Sequence, residues 1–214
     1  MHNRESSRLY GLATCAVALT VFATHAASAE AVESTEKSET QGVTASAVIK
    51  RCDSQQPIGR ARLTERPSAE GIKVVEVEIG IRNGLTEGKH AVHIHETGQC
   101  EPCSAAKGHF DPGPNSNTSP DGNHPFHAGD LVNIDITNMS GDVTDGDGAP
   151  LGSGRLQTLS TRVTLSDGPL SLFDADGSAF IIHVDPDSYC PGGEEAGCAG
   201  GARAACGVIV KDEP

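Results

Sequence analysis

The sequence predicts an all-β fold, a sandwich or barrel. Three observations predict it. Apolar and polar residues alternate with a period of two in several short segments. Clusters of Gly, Pro, Asn and Asp separate those segments. No segment carries a helical apolar stripe with caps. Short strands punctuated by turn chemistry are the signature of a sandwich or barrel.

The elements follow in order. "SAVIKR" (46–51) is a first short strand. In "KVVEVEIGIR", Val75, Val77, Ile79 and Ile81 alternate with Glu76, Glu78, Gly80 and Arg82, and Asn83-Gly84 reads as a turn. "LVNIDIT" puts Val132, Ile134 and Ile136 on one face, and "LSTRVTL" does the same for Leu159, Thr161, Val163 and Leu165. "AFIIHV" and "CGVIV" add two more strands, and "DGDGAPLGSG" and "SDGPL" read as turns. Two segments read as long loops, from about Cys100 to Gly129 and from Asp185 to Ala204. Long loops in a compact domain are functional or disordered, and both of these carry cysteines.

The first 29 of the 214 residues differ from the rest. Arg4 and Arg8 precede an apolar run, roughly "LATCAVALTVFA", and Ala27-Ser28-Ala29 is a small-x-small cleavage site. Residues 1–29 therefore read as a secretory signal peptide. The run falls short of the ~20 residues a membrane-spanning helix needs. Most of it also lies after Cys15, which argues against lipid attachment there. The polar "EAVESTEKSETQG" makes 30–43 a flexible arm, and 44–214 is a single domain.

Removing the signal takes away Arg4, Arg8 and Glu5 and moves the formal net charge from −13 to −14. Such a chain repels nucleic acid and anionic membranes, which argues against both as partners. Six cysteines remain, Cys52, Cys100, Cys103, Cys190, Cys198 and Cys206. An even count in an exported chain predicts disulfides, without fixing their pairing.

Seven of the nine histidines lie in the middle of the mature domain. In "GKHAVHIHETGQC", strand parity puts His93 and His95 on one face and Val92 and Ile94 on the other. His90 shares the parity of the apolar pair and reads as a structural, hydrogen-bonding residue. An isolated His-x-His pair is usually a solvated surface feature. Here it has company: His183 on "AFIIHV", His109 in "GHFDP", and His124, His127 and Asp130 in "NHPFHAGDL". Neutral imidazoles suit copper, zinc, nickel or iron, and zinc accepts a mixed histidine and carboxylate set.

"HAVHIHE", "GHFDP", "HAGDLVN", "IIHVDPDSY" and "GARAACGVI" together resemble, in order, the signatures of the copper/zinc superoxide dismutases, over essentially all of 44–212. The resemblance implies a Greek-key, flattened-barrel sandwich of immunoglobulin-like architecture. It implies copper on His93, His95, His109 and His183, with His109 bridging to zinc. It implies zinc on His127 and Asp130, and Asp187 as the carboxylate linking copper- and zinc-ligand histidines. Arg203 would guide and hold superoxide, the small-molecule substrate, and His109 would carry a proton. Cys100 and Cys206 would form the intrachain disulfide.

The family places one more histidine midway between the counterparts of His109 and His127, where this chain reads "GPNSNTSPDG". We expect His124 to replace it. The competing reading makes His124 a loop residue, with the zinc site weakened or completed by water. The acids Glu194 and Glu195 in "CPGGEEAGCAGG" would weaken the attraction of an anion. Cys52, Cys103, Cys190 and Cys198 have no family counterpart. A Cys190–Cys198 bond would close a short loop and leave Cys52 with Cys103.

Two other functions compete: an exported copper/zinc buffer on the same scaffold, and a copper-only dismutase. Storage needs no anion guide such as Arg203. The signal peptide implies a periplasmic or extracellular location. The resemblance leaves a homodimer open, and no exposed apolar run selects a surface for one.

Overall fold

The structure is a computed structural model that describes residues 42–113, 124–138, 143–191 and 195–213. Residues 1–29, read above as a signal peptide, and most of the expected arm lie outside these residues, as does most of "GPNSNTSPDG".

Ten strands form one antiparallel sheet: β1 Thr44–Arg51, β2 Pro57–Pro67, β3 Lys73–Thr86, β4 Gly88–His90, β5 Val92–His95, β6 Ile134–Thr137, β7 Leu151–Ser160, β8 Ala179–His183, β9 Arg203–Val208 and β10 Val210–Lys211. Their order is β4-β6-β7-β3-β2-β1-β9-β8-β5, with β10 on β1. The terminal strands β4 and β5 are joined by the single residue Ala91. The two ends of the sheet therefore meet, and the sheet wraps into a nearly closed barrel. The connection β5 to β6 skips over β4, and the connection β7 to β8 crosses between distant strands, which is the Greek-key feature. No helix among the described residues is long and apolar enough to cross a membrane.

The inner face is the alternating set. Val75, Val77, Ile79 and Ile81 are buried, with Ile49, Leu63, Val92, Ile94, Ile134, Ile136, Phe180 and Ile182 around them. Phe110, from the loop after β5, completes this core.

Several sequence expectations change. Asn83-Gly84 is not a turn. β3 runs through it with a register shift between Ile81 and Leu85, and Asn83 takes a positive φ of 45°. The bulge absorbs the turn-forming residues without ending the strand. Leu159 is 67% exposed. β7 begins at Leu151, inside the stretch read as a turn, and pairs Leu156 with Ile79 and Thr158 with Val77. That register turns Leu159 outward, opposite Glu76. Val163 and Leu165 reach the core from the loop that follows. Val132 is also exposed, because β6 begins only at Ile134. Val184 is exposed beyond the end of β8, and β9 begins at Arg203, so the second loop begins one residue earlier and ends two residues earlier than predicted. β2 has no counterpart in the sequence reading.

Candidate metal centre

The strands deliver the first side chains. β5 pairs with β8, with His93 opposite Ile181 and His95 opposite Ala179, so both imidazoles leave the sheet on the face away from the main core. His183 follows a register shift on β8 and pairs with Arg203 of β9.

Loop segments then run beside β5 and bring in the rest. Phe110 N–H donates to Ile94 O, Ile94 N–H to Gly129 O, and Gly129 N–H to Phe110 O, each within 2.8–2.9 Å. A Cβ at Gly129 would stand 2.3 Å from Ile94 O, so only glycine allows this approach. His109 and Asp130 are thereby placed against His95 and His93, with which they form isolated bridges. Gly200, at φ +94°, brings the second loop against Ala91 and His183.

Two sets of ligand atoms result. One atom from each of His93, His95, His109 and His183 lies within 4.8 Å of the others. So does one atom from each of His93, His109, His124 and Asp130. The sets share His109 and His93. His127 stands outside the second set, although its Nδ1 is 3.2 Å from Asp130 Oδ2 and its backbone N–H donates to that oxygen at 2.9 Å.

Hydrogen bonds fix which nitrogen of each ring is free. His95 Nδ1 lies 2.8 Å from Lys107 O, and His183 Nδ1 lies 2.9 Å from Gly201 O. A carbonyl only accepts, so these nitrogens carry the proton and Nε2 keeps its lone pair. His93 is reversed: its Nε2 donates to Asp187 Oδ2 at 2.9 Å and Nδ1 is left over. These three leftover nitrogens are buried and have no hydrogen-bond partner. Three orphaned lone pairs in one buried cluster fit a metal that accepts imidazole, which both copper and zinc do.

The titration behaviour agrees. Burial drives His95 down to about 2 and His183 down to about 4, each helped by the neighbouring charge of His109. His93 is also lowered by burial, against the pull of Asp187. All three are neutral donors at neutral pH. His124 moves the other way, to about 9. Burial opposes its charge, but Asp130 and Asp187 outweigh that. Both carboxylates lie well below their usual range in spite of burial, because the histidines around them donate to them.

Asp187 connects the sets, with His93 Nε2 and His124 Nε2 each 2.9 Å from it. Asn133 holds its backbone: Asn133 Nδ2 donates to Asp187 O at 3.0 Å, and Asp187 N–H donates to Asn133 Oδ1 at 2.8 Å. The sequence reading missed Asn133, Lys107 and Gly201. The last two act through carbonyls, which every residue has, so no residue pattern marks them.

His90 stands apart from both sets. It is buried, with Nδ1 2.7 Å from His183 O and Nε2 2.8 Å from Thr86 O.

A cleft of about 520 Å³ opens onto the cluster, lined by His95, His109, His183, Glu195 and Arg203 among others. Arg203 donates to Cys103 O at 2.6 Å and to Lys107 O, which aims its guanidinium at this cleft. Glu194 lies outside the described residues.

Three disulfides clamp the loops: Cys100–Cys206, Cys52–Cys103 and Cys190–Cys198. The first two lie with Ala106, Ala179 and Ile181 in a small apolar cluster separate from the main core.

Comparisons with known proteins place this geometry. The profile described as copper/zinc superoxide dismutase (SODC) matches residues 58–209. The chain is 38% identical over 157 residues to Superoxide dismutase Cu-Zn 2 of Aquifex aeolicus (strain VF5), covering 71% of this chain and 78% of that one. It is 34% identical over 167 residues to a Cu-Zn superoxide dismutase of Caulobacter vibrioides (strain ATCC 19089 / CIP 103742 / CB 15), covering 77% and 84%. A crystal structure of a SOD-like protein from Bacillus subtilis superposes with a TM-score of 0.56 at 22% identity, covering 77% of this chain and 97% of that one. At that identity the likeness concerns the fold.

Proposed function

The chain belongs to the copper/zinc superoxide dismutase family, and we propose how its own residues divide the work of that family's reaction. The reaction turns two superoxide ions and two protons into dioxygen and hydrogen peroxide. When bound, copper supplies the one-electron chemistry, taking an electron from one superoxide and giving one to the next, and zinc supplies a fixed positive charge beside it.

His93, His95, His109 and His183 hold copper. His109, His124, His127 and Asp130 hold zinc. The observation that carries this division is the set of three orphaned nitrogens, His93 Nδ1, His95 Nε2 and His183 Nε2, gathered within 4.8 Å with His109. Asp187 fixes the tautomers of His93 and His124. His109, shared by both sets, would take and return the proton at Nε2, the ring nitrogen opposite the Nδ1 that lies 2.6 Å from Asp130 Oδ1. Arg203 binds the incoming anion with a guanidinium held by two carbonyls. That guide at the cleft favours catalysis over metal buffering.

Residues 1–29 direct export, 30–43 form the arm and 44–214 the enzyme. Three disulfides suit an oxidising compartment, the periplasm or the cell exterior. The acidic chain works free of nucleic acid and membrane once the signal is removed, and a homodimer is compatible with the exposed Phe126, Val132 and Tyr189. Purified protein carrying one copper and one zinc per chain should dismute superoxide. Full copper occupancy without dismutation overturns the assignment.

A further inference from the structure

A second concave surface, larger than the metal cleft, lies apart from the metal centre. It measures about 1240 Å³, lies over β1, β2, β3 and β7, and shares no lining residue with the metal cleft. Its charge is opposite to that of the chain. Arg60, Arg62, Arg82 and Arg155 line it, against Glu78 and Asp212. Four of the eight arginines of the mature chain thus meet on one face of a protein whose net charge is strongly negative.

The sheet register explains the convergence. Arg60 pairs with Gly80, and Gly80 pairs with Arg155, so the two arginines flank a residue without a side chain. Their Cα atoms stand about 10 Å apart, two strand spacings. Arg82 lies two residues along β3 from Gly80, about 7 Å away on the same face. A Cβ built on Gly80 meets nothing within 4 Å, so the floor between the three arginines is open.

Arg51, Arg162 and Arg203 show how the fold engages this side chain, whereas Arg66, exposed on β2, has no such partner among the described residues. Arg51 pairs with Asp53 at 2.6 Å, Arg162 donates to Asp130 O, and Arg203 donates to Cys103 O. Arg62 faces Glu78 across the strands and acts on Asp212. Among the described residues, the guanidinium groups of Arg60, Arg82 and Arg155 have no ion pair or hydrogen bond. Three unengaged planar forks around an open floor match the oxygens of a multiply charged oxyanion.

We propose that Arg60, Arg82 and Arg155, over the floor of Gly80, form a binding site for a phosphate group. The group is either free phosphate or a phosphate carried on a longer anionic chain, for which the length of the groove and Arg62 leave room. The site is independent of the dismutase reaction.

Calorimetric titration of the metal-loaded protein with inorganic phosphate and with inorganic polyphosphate tests this. One site per chain is expected, weakened at least tenfold in Arg60→Gln/Arg155→Gln and unchanged in Arg203→Gln, which removes the arginine that lines the metal cleft. Polyphosphate binding well above phosphate identifies the chain-borne group as ligand, and equal binding identifies the free ion. Unaltered dismutase activity in Arg60→Gln/Arg155→Gln shows that the variant is folded. No saturable binding of either probe, or binding that survives the loss of Arg60 and Arg155, overturns the proposal.

Discussion

Both carboxylate oxygens of Asp187 lie 2.9 Å from His124 Nε2. This contact bears on the expectation that His124 stands in for the histidine missing upstream. The Asp187 that takes His124 on one side takes His93 on the other. Replacing Asp187 by Ala should free both rings at once. Metal affinity should fall by about 10–100-fold, the usual effect of losing such a partner. Competition with a chelator measures it, and an unchanged affinity would show that the contact does not orient the ligands.

Arg203 should matter through charge at the cleft rather than through the fold. A hydrogen bond to a charged group contributes about 1.5–3 kcal/mol, so Arg203→Gln should lower kcat/KM for superoxide about 10–100-fold. The dependence of kcat/KM on salt should also flatten, because a charge that attracts the anion is gone. Copper content should stay the same. Stopped-flow decay of superoxide at two ionic strengths reads both effects.

The Cys52–Cys103 disulfide spans 51 residues and anchors the turn whose carbonyl holds Arg203. Converting both cysteines to Ser should cost about 2–5 kcal/mol of stability, measured by guanidinium denaturation. Activity should fall with it, since Cys103 O loses its anchor. Opening Cys190–Cys198, which spans only 8 residues, should cost less.

Metal-free protein should be most stable near pH 6.5. His95 and His183 have folded pKa values of about 2 and about 4, below the ordinary 6.5. Between 6.5 and those values the unfolded chain binds protons that the folded chain refuses, so stability falls as pH drops through that window. His124 is raised to about 9, so its contribution is complete below 6.5 and disappears as pH rises through 9. Thermal melts from pH 4 to 10 should show both limbs, and His124→Ala should flatten the alkaline one.

Much of this was legible in residue order. The β3 strand and the split of "HAVHIH" between two faces follow from a period of two, which any half-buried strand imposes. β2 was not legible, because its inward set is Ala61, Leu63 and Glu65, a small residue and an acid among the apolar positions. Glu65 is buried because it accepts from Leu165 N–H, Ser166 N–H and Ser166 Oγ at 2.6–3.0 Å, partners a hundred residues away that no local pattern reveals. Leu159 misled for a related reason. Its face is set by the register of β7 on β3, and that register is a tertiary choice. At the candidate metal centre the histidines and the aspartate that gather in the two ligand sets were visible, whereas the carbonyls of Lys107 and Gly201 that set the tautomers of His95 and His183 carry no sequence signature.

The most direct test is metal content in two variants, His183→Ala and His124→Ala, measured on purified protein by elemental analysis. If copper sits on His93, His95, His109 and His183, and zinc on His109, His124, His127 and Asp130, the losses should be selective. His183→Ala should lose copper and dismutase activity while keeping zinc, and His124→Ala should lose zinc while keeping most copper. Unchanged zinc in His124→Ala, or full copper in His183→Ala, would contradict the division of ligands.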